Sequence, residues 1–390
     1  MPLRPMPLRG PDLRHAGPMR DSPDARQRTA RAPGRVTLVG DHTDYNGGLS
    51  LTMAIDLATE VTFTPHRGSF LVGFASDQLR DGPFEVPLFP LTATGAASEE
   101  RNAAGAAMGP NAAAPEAALA TALLRLHPPP HAFGGSVSVS STVPLGSGLS
   151  SSAAFAVALL LALGHDPDPL ALARTEQEAE RLAGAHVGLL DPLVISGALA
   201  GHALAIDFDT VQTRPVALPE HAAFVVVHSE APRLLSHSPY ALRRAECERA
   251  AHELGRPLGL CSLSDLSELS DAVLRRRARH VVTECARVLE AERLASRSNM
   301  VALGQLMTES HRSLATDFRA SVPAVEELVT TLLGLPGVLG ARMTGGGFGG
   351  CVLALCEPDS PALDPATHLP RRAWRVSPSS GAERGRDATS

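Results

Sequence analysis

The sequence predicts an α+β protein of two domains whose connecting loops include three glycine-rich segments. Segments of strand character are interspersed with helical segments, but regular β-α-β alternation is weak, which favours α+β over a doubly wound sheet. The 390 residues exceed the usual size of a single domain. Hydrophobic residues make up 44% of the chain and charged residues 19%, so the chain can bury a sizeable core and is not typical of a disordered protein.

The first part of the chain predicts a leader, three strands and a connection. Residues 1–28 are rich in Pro, Arg and Asp without any helix or strand period, so we expect a disordered leader there. Residues 35–40 and 57–65 are rich in β-branched side chains, and Ser136–Val143 alternates strictly, which is typical of a half-buried strand. Residues 91–118 consist mainly of Ala, Gly, Asn and Pro and predict a mobile connection.

The second part predicts mostly helices. The apolar, Ala-rich run from Ala153 to Gly164 is too long for a strand and predicts a buried helix, and an amphipathic helix follows at residues 170–184. Strands are expected at 201–209 and 222–229. Further helices are predicted at 239–256, 268–295 and 321–335, strand-like segments flank the glycines at 345–350, and a last edge strand is expected around Trp374.

Composition excludes several classes of protein. The net charge of -6 and the aromatic content of 4% disfavour a nucleic-acid binder, which needs basic patches or stacking platforms. The chain contains no lysine, so all 35 basic residues are arginines. Schiff-base and pyridoxal enzymes, P-loop proteins and protein kinases all depend on a lysine. If the protein handles ATP, it must bind the phosphates by another route.

The cysteines and the apolar runs bear on where the protein is found. Five cysteines with irregular spacing and no C-x-x-C pair suit a reducing compartment and give little support for a zinc site. No secretory signal is recognisable, and the longest apolar run, Ala153–Leu163, is too short to span a bilayer. We therefore expect a cytoplasmic monomer or weak dimer that binds neither nucleic acid nor membrane.

The middle glycine-rich segment predicts a phosphate-binding loop. "VPLGSGLSSSAA" runs from a strand through glycines and serines into the apolar helix. Backbone N–H groups in such a turn, together with the helix dipole, attract phosphate oxygens. The hydroxyls of Ser150, Ser151 and Ser152 could bind phosphate oxygens or Mg²⁺. The alternative is an ordinary helix N-cap, which also favours serine.

Three motifs in order carry a family resemblance. "GRVTLVGDHTDYNGG", "PLGSGLSSSA" and "GARMTGGGFGG" together resemble the motifs of the GHMP small-molecule kinases, and the first looks like the galactokinase signature. The resemblance implies an α+β fold with an N-terminal domain at 29–210, a C-terminal domain at 211–390 and an active site in the cleft between them. It also implies transfer of the ATP γ-phosphoryl group to the anomeric hydroxyl of α-D-galactose, with Mg²⁺ as cofactor.

The resemblance also implies residue roles. Asp191 corresponds to the catalytic aspartate, which accepts or orients the proton of the sugar hydroxyl, and Arg35 to the arginine that pairs with it. Mg²⁺ would be bound by Ser152 and Glu180. The sugar-binding positions are Asp41, His42, Thr43, Asp44, Gly188 and Tyr240. The ATP-binding positions are Gly146, Ser147, Gly148, Leu149, Ser150, Ser151 and Ser152.

Each assignment has a purely structural alternative. Asp41 and Asp44 could form an Asx turn before Asn46-Gly47. Asp191 before Pro192 is a good N-cap with proline at N1.

Two more assignments have such alternatives. Glu180 could lie on a solvated helix face beside Arg181, and Tyr240 could be a half-buried packing residue.

Two alternative functions stay open at this point. Asp41 stands where the family usually has Glu. Its shorter side chain could widen the pocket for a related sugar such as N-acetylgalactosamine or arabinose. The altered residues at Pro192 and 91–118 are compatible with a galactokinase-like sensor that binds sugar and ATP without turnover.

Overall fold

The computed structural model describes residues 26–66, 71–77, 83–88, 115–129, 134–185, 187–231, 239–364 and 371–385. Of the leader predicted at 1–28 only the last three residues fall in these ranges, and of the connection predicted at 91–118 only the last four do. The remainder of both predictions lies outside the described residues. Within the described ranges, no helix combines the length and apolar character that crossing a bilayer requires.

A mixed sheet of eight strands forms the framework of the N-terminal part. Along the main path the order is β12-β1-β2-β5-β3-β4, and β6 pairs with the other end of β2 and carries β7 at its edge. All pairs are antiparallel except β3 with β5. The strands are β1 Arg28–Val39, β2 Leu49–Pro65, β3 Leu71–Ser76, β4 Phe84–Pro87, β5 Gly135–Ser141, β6 His202–Asp207, β7 Gln212–Ala217 and β12 Glu383–Arg384.

Helices cover one face of this sheet. They are α1 Pro115–Leu126, α2 Ser151–Ala162, α3 Pro169–Leu182 and α4 Leu190–Gly197. Leu160 of α2 shares one hydrophobic cluster with Val61 of β2 and Val137 of β5. Helix α2 is apolar nearly all round because the sheet and its neighbouring helices bury it, and it ends where Gly164 adopts the left-handed φ of 94°.

An antiparallel sheet of four strands forms the C-terminal part, in the order β11-β8-β10-β9. These strands are β8 Ala223–His228, β9 Val338–Met343, β10 Cys351–Cys356 and β11 Ala373–Val376. Strand β11 lies at the edge, as the sequence predicted. The helices are α5 Pro239–Leu254, α6 Ala272–Ser296, α7 Met300–Ser313 and α8 Pro323–Leu333, with a π-helical turn at Leu314–Phe318. Short 3₁₀ turns lie at Asp44–Asn46, Leu258–Leu260, Asp265–Glu268 and Pro361–Leu363.

The two sheets share a hydrophobic core. Leu38 of β1 and Met53 of β2 belong to the same buried cluster as Phe224 of β8 and Leu353 of β10. The two strands that flank the first glycine loop, β1 and β2, are therefore packed directly on the second sheet, which fixes the two parts relative to each other.

The α+β prediction is confirmed, with differences at some element ends. Strand β5 alternates between buried and exposed residues, as predicted. The helix expected from Ser321 begins at Pro323, whose fixed φ suits the first helical position. The helix expected from residue 268 begins at Ala272, after Asp271 accepts from the backbone N–H of Val273 at 2.7 Å. Strand β7 extends the first sheet beyond residue 210, and the domain boundary stays a prediction.

Candidate active site

A cleft of about 560 Å³ brings together the two predicted catalytic residues and most of the predicted sugar-binding residues. On one side it is bounded by the first loop, residues 40–48 between β1 and β2, and by α4. On the other side it is bounded by helix α5 and by the third glycine loop, residues 345–350. Seven predicted residues line it: Arg35, Asp41, His42, Asp44, Gly188, Asp191 and Tyr240. Residues from distant parts of the chain thus converge on one cavity, which is the usual form of a small-molecule site.

The loop after β1 presents its side chains through a tight turn. His42 has a left-handed φ of 64°, and its ring lies 4.4 Å from that of Phe318 and 5.4 Å from that of Tyr240. The Thr43 hydroxyl lies 2.8 Å and 2.7 Å from the carbonyl oxygens of Gly40 and Leu49, and Thr43 is fully buried. Thr43 therefore stabilises the turn and does not line the cleft.

The phosphate loop, residues 146–150, reaches helix α2 through three residues with left-handed backbone. Gly146, Gly148 and Ser150 all have positive φ, of 67°, 82° and 65°. Ser150 occupies the N-cap position of α2, but its side chain makes no capping hydrogen bond. The N-terminus of α2, with the half-buried Ser151 and the exposed Ser152, is open to an anion.

Two other residues of this loop have structural roles for their side chains. The Ser147 hydroxyl donates to the carbonyl of Pro144 at 2.7 Å, and Leu149 is completely buried in the core. These two positions can therefore offer a phosphate only their backbone groups.

Arg35 connects the phosphate loop to Asp191. Its Nε donates to Oδ1 of Asp191 and its Nη2 donates to Oδ2, both at 2.7 Å, while Nη1 donates to the carbonyl of Gly148 at 2.6 Å. Its backbone N–H also donates to Leu149 at 3.1 Å. The Ser150 hydroxyl donates to Oδ2 of Asp191 as well. Such a bidentate pair fixes both the distance and the plane of the carboxylate.

The N-cap alternative for Asp191 is not what the structure contains. Helix α4 begins at Leu190 with Leu189 as its N-cap, and Asp191 lies inside the first turn. Its carboxylate points to Arg35 and Ser150 because these donors are supplied by β1 and the phosphate loop.

Gly188 and Asp44 are in close contact. A Cβ atom at Gly188 would lie 1.5 Å from Oδ2 of Asp44, so only glycine leaves the carboxylate its place. Burial, and next the charge of Asp191, raise the pKa of Asp44 to about 6. Two carboxylates therefore face the same cleft, where they can accept hydrogen bonds from a polyhydroxylated ligand.

Asp41 lines the cleft but is already paired. Its Oδ2 accepts from Nη2 of Arg342, a residue with no exposed surface that also donates to the carbonyl of Leu38 at 2.9 Å. Burial raises the pKa of Asp41 to about 6, against the lowering by Arg342 and Arg35. Asp41 thus contributes to the contact between the first loop and β9 as well as to the cleft wall.

Glu284 completes this buried network. It accepts from the backbone N–H of Gly40 at 2.9 Å and from Nε of Arg287 at 2.7 Å. Burial opposes its charged form, but Arg287, His280 and Arg342 outweigh it and lower the pKa to about 2. Sequence reasoning missed Arg342 and Glu284, although an arginine within the apolar strand "VLGARM" was a usable signal.

The third glycine loop packs on the second. A Cβ atom at Gly345 would lie 2.7 Å from the carbonyl oxygen of Gly148, and one at Gly350 would lie 2.8 Å from that of Ser147. The Thr344 hydroxyl also accepts from the backbone N–H of Thr37 at 2.9 Å. The third loop therefore touches both other loops, and only glycine permits this backbone approach.

Helix α3 places Glu180 beside the phosphate loop. Its carboxylate accepts a hydrogen bond from Ser152, and Glu180 is only 7% exposed, so burial raises its pKa. The alternative of a solvated helix face is therefore wrong for Glu180. One turn earlier, Glu176 is 1% exposed, and within the part of the chain that the structure describes its Oε2 has no hydrogen-bond partner.

Helix α5 adds residues that the sequence did not single out. Tyr240, which lines the cleft, is followed at four- and eight-residue spacing by Arg244 and Glu248, which line it too. Arg244 donates to Glu248 at 2.9 Å and its guanidinium lies 5.3 Å from the ring centre of Tyr45. The helical spacing after Tyr240 was the available signal.

Comparison with known proteins agrees with this geometry. The galactokinase galactose-binding signature matches residues 21–65, the GHMP kinase N-terminal domain matches residues 113–197 and the GHMP kinase C-terminal domain matches residues 291–366. These matches cover the first loop, the phosphate loop with Asp191, and the third loop.

Individual relatives extend the similarity over most of the chain. A galactokinase of Mycobacterium tuberculosis (strain ATCC 25618 / H37Rv) is 42% identical over 357 residues, which is 88% of this chain and 92% of that protein. A galactokinase of Homo sapiens is 37% identical over 336 residues, covering 84% of this chain and 83% of that protein.

Solved structures give the same result. The galactokinase of Lactococcus lactis complexed with galactose superposes with a TM-score of 0.77 at 25% identity, covering 92% of this chain and 95% of that chain. A mevalonate kinase of L. major with R-mevalonate reaches a TM-score of 0.61 at 16% identity over 90% of this chain and 95% of that chain, and shares the fold. The chain belongs to the galactokinase family of the GHMP kinases.

Proposed function

We propose that this protein is a galactokinase that transfers the γ-phosphoryl group of ATP to the anomeric hydroxyl of α-D-galactose. The observation that carries the proposal is the junction at Arg35, which holds Asp191 at 2.7 Å and the phosphate loop at 2.6 Å with one guanidinium group. A proton acceptor and a phosphate-binding loop are thereby joined at a cleft lined by the galactose-binding signature.

The first part of the mechanism is the binding of the sugar. Asp44 accepts hydrogen bonds from the sugar hydroxyls, and Gly188 leaves the space for its carboxylate. His42 and Tyr240 contribute polar groups on the same wall. A site built from hydrogen-bonding groups discriminates strongly against sugars that lack the matching hydroxyl, because its buried polar atoms would then be unpaired.

The second part is phosphoryl transfer. The amides before α2 and the helix dipole stabilise the transferring phosphate, and Arg35 adds positive charge beside it. Asp191 accepts the proton of the anomeric hydroxyl as the new bond to phosphorus forms, with the attacking oxygen and the leaving ADP oxygen in line. The amides and Arg35 take the place of the lysine that other ATP-binding folds use.

Mg²⁺ is the cofactor that this donor set fits. Ser152 and Glu180 offer hard oxygen ligands. Glu176 lies close enough for the charge of Glu180 to act on it, and its buried Oε2 has no hydrogen-bond partner among the described residues. Mg²⁺ typically uses one or two protein oxygens plus substrate phosphates. Among the described residues no three His, Cys, Asp or Glu side chains cluster as a metal site of their own. When bound, the ion neutralises phosphate charge.

The test is galactose-dependent ADP release with a panel of sugars at millimolar concentration. We expect the highest kcat/KM for galactose. We also expect activity to depend on Mg²⁺, and Glu180→Gln should require a higher Mg²⁺ concentration for half-maximal activity. Higher kcat/KM for N-acetylgalactosamine or arabinose would instead identify a kinase for a related sugar. A thermal shift with galactose and ATP but no ADP release would identify a sensor. Either result would contradict the proposal.

A further inference from the structure

Among the described residues three donors reach the carboxylate of Asp191, and they are distributed unequally between its two oxygens. Oδ1 accepts from Nε of Arg35 at 2.7 Å. Oδ2 accepts from Nη2 of Arg35 at 2.7 Å and also from the hydroxyl of Ser150. An ionised carboxylate has about four lone-pair positions, two on each oxygen. Both positions on Oδ2 are therefore occupied, and one position on Oδ1 remains.

We propose that Ser150 is a positioning residue, whose hydroxyl occupies Oδ2 so that Oδ1 of Asp191 takes the proton of the sugar. This inference rests on the proposed function. In the step, the O–H bond of the anomeric hydroxyl breaks and its proton bonds to Oδ1. The electron pair of that O–H bond stays on the anomeric oxygen, which forms the bond to the γ-phosphorus. The bond between the γ-phosphorus and the β,γ-bridging oxygen breaks at the same time, and its electron pair leaves on the β-phosphate of ADP.

The backbone around Ser150 supports a dedicated role for this hydroxyl. The backbone of Ser150 has φ 65° and ψ 45°, a left-handed conformation that residues other than glycine and asparagine rarely adopt. Three contacts enforce it: Leu149 is buried in the core, and Arg35 holds the carbonyls of Gly148 and Leu149. This backbone conformation suits glycine, and the hydrogen bond from the hydroxyl to Asp191 explains why serine occupies the position.

This role differs from phosphate binding, which the motif alone suggests for Ser150. Its hydroxyl proton already points to Asp191, and Ser150 is 8% exposed, whereas the next two serines open towards solvent. Phosphate binding by the loop then relies on backbone amides and on Ser151 and Ser152. The two roles predict different kinetic effects, since one acts on kcat and the other on the KM for ATP.

The experiment compares Ser150→Ala with Ser150→Gly in steady-state assays with galactose and ATP. Both variants remove the hydroxyl, but glycine also removes the steric strain of the left-handed backbone conformation. We expect both to lower kcat by about tenfold to one hundredfold, the effect of one hydrogen bond to a charged group, and to leave the KM for ATP within about twofold of the wild-type value. In an Asp191→Asn background, Ser150→Ala should cause almost no further loss.

A matched control is available in β5. Ser140 also donates to an aspartate, Asp77, at 3.0 Å, but on the exposed side of the sheet outside the cleft. Ser140→Ala should keep wild-type kinetics.

Three outcomes would overturn the proposal. A raised KM for ATP with unchanged kcat would make Ser150 a phosphate ligand. A fully active Ser150→Gly beside an impaired Ser150→Ala would reduce its role to backbone conformation. Full additivity with Asp191→Asn would show that the two side chains act independently. Absence of galactose turnover in the wild-type protein is a separate result, which sinks the proposed function itself.

Discussion

Gly188→Ala tests the sugar site with the smallest possible change. The new Cβ atom would lie 1.5 Å from Oδ2 and 2.6 Å from Cγ of Asp44. The carboxylate oxygen would have to move by about 2 Å before reaching an ordinary contact distance of about 3.5 Å. Because a misplacement of about 1 Å in a catalytic or binding group can lower the rate about one hundredfold, we expect kcat/KM for galactose to fall by at least that factor.

The measurement is ADP release over a galactose titration at saturating ATP, with a parallel titration of ATP. The KM for ATP should stay near its wild-type value, because the proposed role of Gly188 and Asp44 is in binding the sugar. Gly197→Ala at the end of α4 is the control, since its Cβ atom would meet Pro169 at an ordinary 3.5 Å. An unchanged kcat/KM for galactose in Gly188→Ala would refute the placement of the sugar beside Asp44.

Three further predictions follow from the same site. Asp191→Asn should lower kcat by about 10²–10⁴-fold while nucleotide affinity, measured by equilibrium binding, stays close to wild type; an equal loss of both would contradict its role. Arg342→Met leaves the buried Asp41 and Glu284 without this cation and should lower the free energy of unfolding in urea by about 3–5 kcal/mol; an unchanged midpoint would exclude the network as a stabilising element. The pKa of Asp44 is raised to about 6, so its proton binds the folded chain more tightly than the unfolded one, and the resulting stability is lost as the pH rises through 6. The Tm of Asp44→Asn relative to wild type should therefore increase from pH 5 to pH 8, and kcat/KM for galactose in the wild type should fall below pH 6; parallel Tm curves for the two proteins would contradict this.

Periodicity in the sequence was sufficient for helix α2, which begins at the site. The apolar run after Ser152 predicted α2, because a helix buried on all sides needs no polar face. The positive φ values at Gly146 and Gly148 were equally predictable, since glycine adopts them without steric cost. These features depend on residues close together in the chain, which a local pattern records.

The roles of individual side chains depended on partners far away in the chain. Asp191 before Pro192 has the local pattern of an N-cap, yet it pairs with Arg35, 156 residues away. Glu180 beside Arg181 has the pattern of a solvated face, yet it bonds Ser152. A local pattern cannot record which donor the fold brings to a carboxylate.

The sequence by itself determined the α+β class, the three glycine loops and the family, because these follow from short-range periodicity, backbone sterics and long motifs. Only the tertiary structure decided that Ser150 bonds Asp191, that Thr43 supports a turn and that Asp41 pairs with Arg342. The reason is physical. A buried polar group needs a hydrogen-bond partner, and its partner is whichever group the packing brings within hydrogen-bond distance. That group can be far away in the sequence, as with Asp41 and Arg342, which are 301 residues apart.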